Sequence, residues 1–341
     1  MTLQQTDPYF AYPPTRMPAW QIGPVNIRGK TFLAPLAGVT SLPFRRLVKE
    51  CGAAVVCSEM ISAKGLFYNS EKTLSLLAAC PEERPLSVQI FGAEPEIMAR
   101  AAAEITSMGI ADILDINFGC SVKKVIRQGA GAALMNDLPM SRKIIQAVRR
   151  ATSLALTIKI RSGWDPSGSQ AVALVDMAEK EGVDAVVCHP RTATQGFKGH
   201  ADRDLIRKLK DQTALPVIGN GDILTPADAL EMLNQTGCDA VMIGRGAMTN
   251  PFLPGQVEAL ISQGVSHPVT ASDIFRKMER LIQLYVGHFG EMTACRMLRG
   301  RLPWFVKGMP GCSGIRASLS RISTTNQAIA LIRNYEYRLS L

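Results

Sequence analysis

Between residues 31 and 243 the chain repeats one phrase eight times: a short apolar run, a polar or glycine-rich turn, then a stretch with helical spacing. The runs are 31–36, 53–60, 86–91, 113–116, 154–160, 185–189, 215–219 and 240–243. Helix-compatible segments lie between them, at 42–50, 70–79, 94–108, 140–151, 169–181, 202–210 and 226–235. Runs that are apolar on both faces are strands buried on both faces. A parallel sheet covered by helices provides that burial. Eight such units in roughly 220 residues match an α/β fold of the closed (β/α)8 TIM-barrel type. A doubly wound open sheet is the alternative. It would want a Gly-rich dinucleotide turn after its first strand, and Ala34-Pro35-Leu36-Ala37-Gly38 is not one.

The 341 residues are 47% hydrophobic and 20% charged, which allows one large domain plus a small one. No apolar run approaches the ~20 residues that span a bilayer, so no membrane partner is expected. Residues 1–19 hold Pro8, Pro13, Pro14 and Pro18 and lack a basic start followed by an apolar core. They read as an extended leader and not as a secretory signal. The eight cysteines form no C-x-x-C pair, so no metal site is expected. Cys57 and Cys188 sit inside apolar runs, as reduced cysteines of a cytoplasmic protein do. A net charge of +9 permits a polyanionic partner. A monomer is expected.

In a barrel, functional residues lie at the carboxyl ends of the strands. Here those ends carry polar groups that converge on one rim: Ser58-Glu59-Met60, Gln89, Asn117 to Cys120, Lys159 and Arg161, His189 and Arg191, Asn220-Gly221-Asp222, and Gly244-Arg245-Gly246. Each has a bland reading. Alternation could point Lys159 at solvent, His189 could be a hydrogen-bonded core histidine, and Gly244 to Gly246 could be a tight turn. Yet a lysine inside a barrel strand needs an anionic or electron-rich partner. A Gly-Arg-Gly turn after the last strand is also the usual place for a barrel phosphate site.

The stretch from Asp115 to Val125 carries the most chemistry. An apolar run with acidic punctuation ends in Asn117-Phe118-Gly119-Cys120, and Lys123 and Lys124 follow. A thiol at a strand's carboxyl end in a positive field is a candidate acid or nucleophile. A buried structural cysteine is the bland reading.

After residue 251 the character changes. Residues 256–270 read as a linker, and 271–341 as a small all-α domain. Ile274, Phe275, Met278, Leu281, Ile282, Tyr285, Val286 and Phe289 recur at helical spacing and form an apolar face. Eleven Lys and Arg against four Asp and Glu over that span suit an RNA backbone, with a merely solvated basic face as the alternative.

Together these motifs carry a resemblance. Leu33-Ala34-Pro35-Leu36-Ala37-Gly38-Val39-Thr40, Pro43-Phe44-Arg45, Ser58-Glu59-Met60, Val88-Gln89-Ile90-Phe91-Gly92, Asp115 to Val125, Ile158-Lys159-Ile160-Arg161-Ser162-Gly163-Trp164, His189-Pro190-Arg191-Thr192, Asn220-Gly221-Asp222 and Met242-Ile243-Gly244-Arg245-Gly246 stand in the order seen in tRNA-dihydrouridine synthases. The chain resembles the bacterial B-type branch from about Trp20 to its end. The resemblance implies a barrel catalytic domain over 20–255 that binds FMN, and NADPH as reductant. Pro35, Leu36 and Ala37 would meet the isoalloxazine, and Gln89 and Lys159 its polar edge. Asn220, Gly221, Asp222, Gly244 and Arg245 would hold the phosphate, with His189 nearby. Cys120 would give a proton to C5 of a uracil in tRNA. A free thiol titrates near about 8.5 and is mostly protonated at neutral pH, so it can serve as an acid. Asn117, Lys123, Arg161 and Arg191 would meet the uracil or its phosphate.

One departure is central: Ser121 stands where the family has proline, so the backbone gains an N–H and loses a fixed φ. Rival readings are the same chemistry on ribosomal RNA, a flavin barrel for a small molecule (similar to dihydroorotate dehydrogenases), and a catalytically weak RNA-binding paralogue. The basic helical segment argues against the small molecule. Intact Cys120, Lys159 and Arg245 argue against the paralogue.

Overall fold

Alternation along each run decides how the chain closes. The structure, a computed structural model, describes residues 17–266 and 268–340, so the expected leader lies almost entirely outside it. A hairpin of β1 (Trp20–Ile22) and β2 (Val25–Ile27) precedes β3 (Thr31–Leu33), β4 (Val55–Cys57), β5 (Ile61–Ser62), β6 (Leu86–Phe91), β7 (Ile113–Phe118), β8 (Ala155–Arg161), β9 (Ala185–His189), β10 (Val217–Asn220) and β11 (Ala240–Ile243). The eight strands β3, β4 and β6 to β11 pair in parallel around a ring, and β11 closes it on β3. This is the expected TIM barrel. Leu114, Ile116 and Phe118 of β7 face the surrounding helices. Ile113 faces inward, at the barrel floor.

The helices are α1 (Leu42–Glu50), α2 (Ala63–Phe67), α3 (Glu71–Ser75), α4 (Pro95–Met108), α5 (Lys123–Ile126), α6 (Leu138–Ala151), α7 (Ser169–Lys180), α8 (Arg203–Gln212), α9 (Pro226–Thr236), α10 (Arg245–Thr249) and α11 (Leu253–Gln263), then α12 (Ala271–Phe289), α13 (Glu291–Leu298), α14 (Leu302–Phe305), α15 (Cys312–Leu319) and α16 (Thr325–Leu339). None of them is long and apolar enough to cross a membrane.

Three features depart from the expectation. The hairpin β1–β2 plugs the amino-terminal end of the barrel: Ile22 and Ile27 are fully buried against Phe32, Val55, Ile113, Ala155 and Ile218. Strands this short show no period to read. The run at 53–60 holds only the short β4, with β5 and α2 just after it, and the helix expected at 70–79 is reduced to the single short α3. The linker expected at 256–270 is a helix as far as Gln263. Pro254 falls in its first turn, where proline is tolerated. Glu258 of α11 is buried and accepts from Lys30 N–H and Thr31 Oγ1, both at 2.7 Å. Gly264, at φ +74°, stops α11, and Thr270 caps α12. The non-helical connection is therefore about half as long as expected.

The last five helices form a bundle whose core is continuous with the barrel's helical layer. Arg280 of α12 makes a fork to Glu50 of α1, with its shortest contact 2.7 Å. Tyr285 Oη lies 3.0 Å from Ser41 Oγ, and Arg301 donates to the Gly38 carbonyl in the loop after β3. The bundle thus grips a loop of the barrel's carboxyl rim.

Candidate active site at the carboxyl rim of the barrel

The strand ends and the loops after them enclose one cavity of about 440 Å³, a size suited to a nucleotide-like ligand. Pro35, Leu36, Ala37, Gln89, Asn117, Cys120, Lys159, Arg161, His189, Arg191, Asn220, Gly221, Asp222, Gly244 and Arg245 all line it. The residues given a role from the sequence are therefore brought together, except Lys123, and of the rim set Ser58-Glu59-Met60 only Met60 joins the wall. Lys123 is exposed at the start of α5 and is not part of the wall. The walls also hold Ser121, Val122, Phe197, Leu224, Met242 and Met248, to which sequence reading assigned no role.

Cys120 is a free, half-buried thiol. The turn that presents it is held from several sides. Asn117 Oδ1 accepts from the N–H groups of Gly119 (3.1 Å) and Cys120 (2.8 Å). Arg161 Nε donates to the Gly119 carbonyl at 2.8 Å. The Cys120 carbonyl accepts from Ala132 N–H at 2.9 Å. Gly131 is required there, because a Cβ would sit 2.6 Å from that carbonyl oxygen and φ is +63°. The positive field expected from Lys123 and Lys124 comes instead from Arg161, a cation built into the turn itself. Arg161 Nη1 is tied to the carbonyls of Thr192 (3.0 Å) and Gly196 (2.9 Å), and burial pushes its pKa down.

Lys159 projects into the cavity and donates to Asn220 Oδ1 at 2.9 Å. Asn220 Nδ2 in turn donates to the Met242 carbonyl at 2.7 Å. Burial pushes Lys159 down to about 8, Arg161 adds to the fall, and the Asp115 charge opposes it. His189 is pushed down to about 2, by burial first and then by the cations Lys159, Arg161, Arg191 and Arg245. It is neutral at any working pH. Arg191 Nη1 lies 3.3 Å from His189 Nε2. A guanidinium only donates, so Nε2 accepts and the ring proton sits on Nδ1.

Arg191, expected to meet the substrate, lies in the cavity wall and is engaged mostly within the protein. It is 1% exposed, and its donors go to Asp222 (2.7 and 2.8 Å), the Lys198 carbonyl (3.1 Å) and the Gly199 carbonyl (2.6 Å). Its guanidinium positions Asp222 while lining the cavity. Asp222 sits at φ +52°. Burial raises its pKa, but Arg191, the Ala201 N–H and the Arg245 charge outweigh this and hold it below the usual carboxylate range. Gly221, at φ +134°, has no room for a side chain: a Cβ would lie 2.7 Å from Ala201 Cβ and 3.2 Å from His189 Cδ2. Arg245 is half exposed and lies over the Phe197 ring, 5.0 Å from its centroid.

The donor set suits a flavin. An apolar wall (Pro35 to Ala37) faces amides and an ammonium (Gln89, Asn117, Lys159), and a half-exposed arginine stands beside a glycine turn at another edge. That is the combination a flat ring with one polar edge and an anionic tail requires.

Comparison with known proteins follows the same line. A family model described as Dihydrouridine synthase matches residues 32–338. The tRNA-dihydrouridine synthase B of Pseudomonas aeruginosa is 35% identical over 317 residues, covering 92% of this chain and 95% of that protein. The protein of that name from Xanthomonas campestris pv. campestris is 38% identical over 317 residues, with 92% and 95% covered. Among solved structures, histamine dehydrogenase from a Rhizobium species aligns with a TM-score of 0.54 at 13% identity, covering 78% of this chain and 50% of that one. A Pseudomonas geniculata 6-hydroxypseudooxynicotine amine oxidase aligns at 0.57 and 14%, covering 82% and 53%. This chain spans about half the length of those two enzymes, and the likeness is one of fold.

Proposed function

The chain belongs to the dihydrouridine synthase family, and from that membership we propose that it reduces the C5–C6 double bond of uridines in tRNA, with FMN as resident cofactor and NADPH as reductant. The observation that carries the reading is the meeting of Cys120 and Lys159 in one cavity, with the thiol's backbone held by Asn117. Pro35, Leu36 and Ala37 would lie against the ring, Gln89 and Lys159 would bond its polar edge, and Asn220 to Asp222 with Gly244 and Arg245 would hold the phosphate, beside a neutral His189. The flavin, when bound and reduced, supplies the hydride that reaches C6.

The protein supplies the proton. Cys120 would transfer it from Sγ to C5 as the general acid. Asn117 and the remaining Nη2 donor of Arg161 would fix the base, and Lys123, out on the rim, would meet the RNA backbone. The target base has to leave its stack to enter a cavity of this size. Residues 271–341, with their surplus of arginine, would serve as the RNA-binding domain beside the barrel of 20–255.

Two measurements test the reading. Purified protein should be yellow and release FMN on denaturation. Dihydrouridine mapping of tRNA from a deletion strain should show one or more positions lost and restored by the gene. An unchanged map would discard the proposed substrate.

Lys159 gives a pH dependence. Its ammonium is lost as pH rises through about 8. The bond it offers an electron-rich ring edge is charge-assisted only below that pH. FMN affinity is therefore expected to fall between pH 7 and 9.5, read by flavin fluorescence. Lys159→Met should bind weakly and without that pH dependence.

A further inference from the structure

Beneath the cavity runs a chain of buried polar side chains, two of which do not line it. Gln89 on β6, Asp115 on β7 and Thr157 on β8 are register partners on adjacent strands, so they meet at one level of the barrel interior. Thr157 Oγ1 and Gln89 Nε2 both donate to the Asp115 carboxylate at 2.6 Å. Gln89 Oε1 accepts from Asn117 Nδ2 at 2.7 Å. Asn117 Oδ1 is then left to face the N–H groups of Gly119 and Cys120. None of the four side chains is more than 6% exposed.

The chain has a single polarity, set at both ends: by the Asp115 carboxylate at one and by the Gly119 and Cys120 N–H groups at the other. A carboxylate accepts and does not donate. A flipped Gln89 amide would place its oxygen against that carboxylate and its NH2 against the NH2 of Asn117. A flipped Asn117 would turn its NH2 onto two backbone N–H donors. Each flip leaves buried donors facing donors, at a cost of about 1–3 kcal/mol per unsatisfied group. The backbone N–H groups fix the Asn117 end, and without the carboxylate at the other end the Gln89 Nε2 donor would lose its acceptor inside the barrel.

We infer that Asp115, braced by Thr157, is a positioning residue for the reaction: it anchors the Gln89 amide at the far end of the chain, and Gln89 in turn holds Asn117 and the Cys120 turn in place. It touches neither reactant nor cofactor. The inference rests on Cys120 being the proton donor. Charge balance with Lys159 is the competing role, since the two side chains feel one another.

The experiment is single-turnover reduction of unmodified tRNA by flavin-loaded, pre-reduced enzyme. The rate is counted per bound flavin at saturating RNA, and RNA affinity is measured alongside. Asp115→Leu should lose roughly 10- to 100-fold in rate, the scale of a misplaced reacting group, with RNA affinity unchanged. Asp115→Asn keeps an acceptor toward Gln89 once the Thr157 hydroxyl turns to accept, so it should recover to within about threefold of wild type. Adding Thr157→Val should remove that rescue. In a Cys120→Ala background Asp115→Leu should cost little more, because both changes act on one step. A wild-type rate in Asp115→Leu overturns the inference. So does an Asp115→Asn enzyme as slow as Asp115→Leu, which would assign Asp115 to charge balance. An equal loss with and without Cys120 also overturns it. Should Cys120→Ala alone run at the wild-type rate, the reading of Cys120 itself falls, a result distinct from the other three.

Discussion

Cys120→Ala is expected to slow single-turnover reduction of unmodified tRNA by about 10²–10⁴-fold, the usual worth of general acid catalysis, while flavin content and melting temperature stay near wild type. The two halves of this expectation have separate physical grounds. Rate depends on Sγ because the cavity offers few other acids: Lys159 is an ammonium below about pH 8 but is tied to Asn220, and His189 is neutral with its Nε2 accepting from Arg191. Stability does not depend on Sγ, because the thiol is half exposed. The turn is held by its backbone, through Asn117, Arg161 and Ala132. Alanine keeps every one of those bonds. Oxidation of NADPH by the loaded enzyme should persist, since the variant leaves the flavin wall intact. Ser121 lines the cavity beside Cys120. An unchanged rate in Cys120→Ala would direct attention to its hydroxyl, and Cys120→Ala with Ser121→Ala would decide the matter.

Arg45→Met is expected to cost about 3–5 kcal/mol of stability, the penalty for stripping one partner from a buried ion pair. Arg45 and Glu83 are 1% and 0% exposed and meet through two bonds, at 2.6 and 3.1 Å. With the guanidinium gone, the Glu83 carboxylate keeps, among the described residues, the Cys80 N–H alone. The loss would be read from the urea unfolding midpoint. Arg45→Met with Glu83→Leu should return most of it, because a buried pair replaced by apolar groups of similar volume is often close to neutral. Cofactor binding should not return with it. Arg45 Nη1 also donates to the Thr40 carbonyl at 2.9 Å, and Thr40 Oγ1 accepts from the Leu36 N–H at 3.1 Å. Leu36 lines the cavity. In the double variant, stability near wild type with weakened FMN binding is the expected result. Full recovery of both would mean that Arg45 serves the fold alone.

Much of the barrel is legible because parallel strands inside a layer of helices are apolar on both faces, so they stand out as continuous runs between polar turns. The carboxyl-end residues of those runs are legible for a related reason: the barrel puts its working groups there. Neither argument depends on which strand pairs with which. The helical face from Ile274 to Phe289 is equally plain, since its period survives without knowledge of what it packs against.

What the tertiary structure alone decided are the facts that depend on neighbours distant in the chain. Asp115 in its apolar run looked like punctuation, and nothing in the sequence singled out Thr157. Only the shared register of β6, β7 and β8 places them against Gln89 and makes them one device. Arg191 looked free to meet a substrate. Asp222, 31 residues later and at positive φ, takes its charge. Lys123 follows Cys120 by three positions yet leaves the wall at the start of α5, while Arg161, on the next strand, supplies the cation. The hairpin plug was invisible because three-residue strands carry no period, and α11 was hidden by a proline that its first turn accommodates. Sequence sets each side chain's chemistry and each segment's period. Which donor meets which acceptor is settled when the barrel closes, because closure brings residues tens of positions apart within hydrogen-bonding reach and leaves buried polar groups to find partners among themselves.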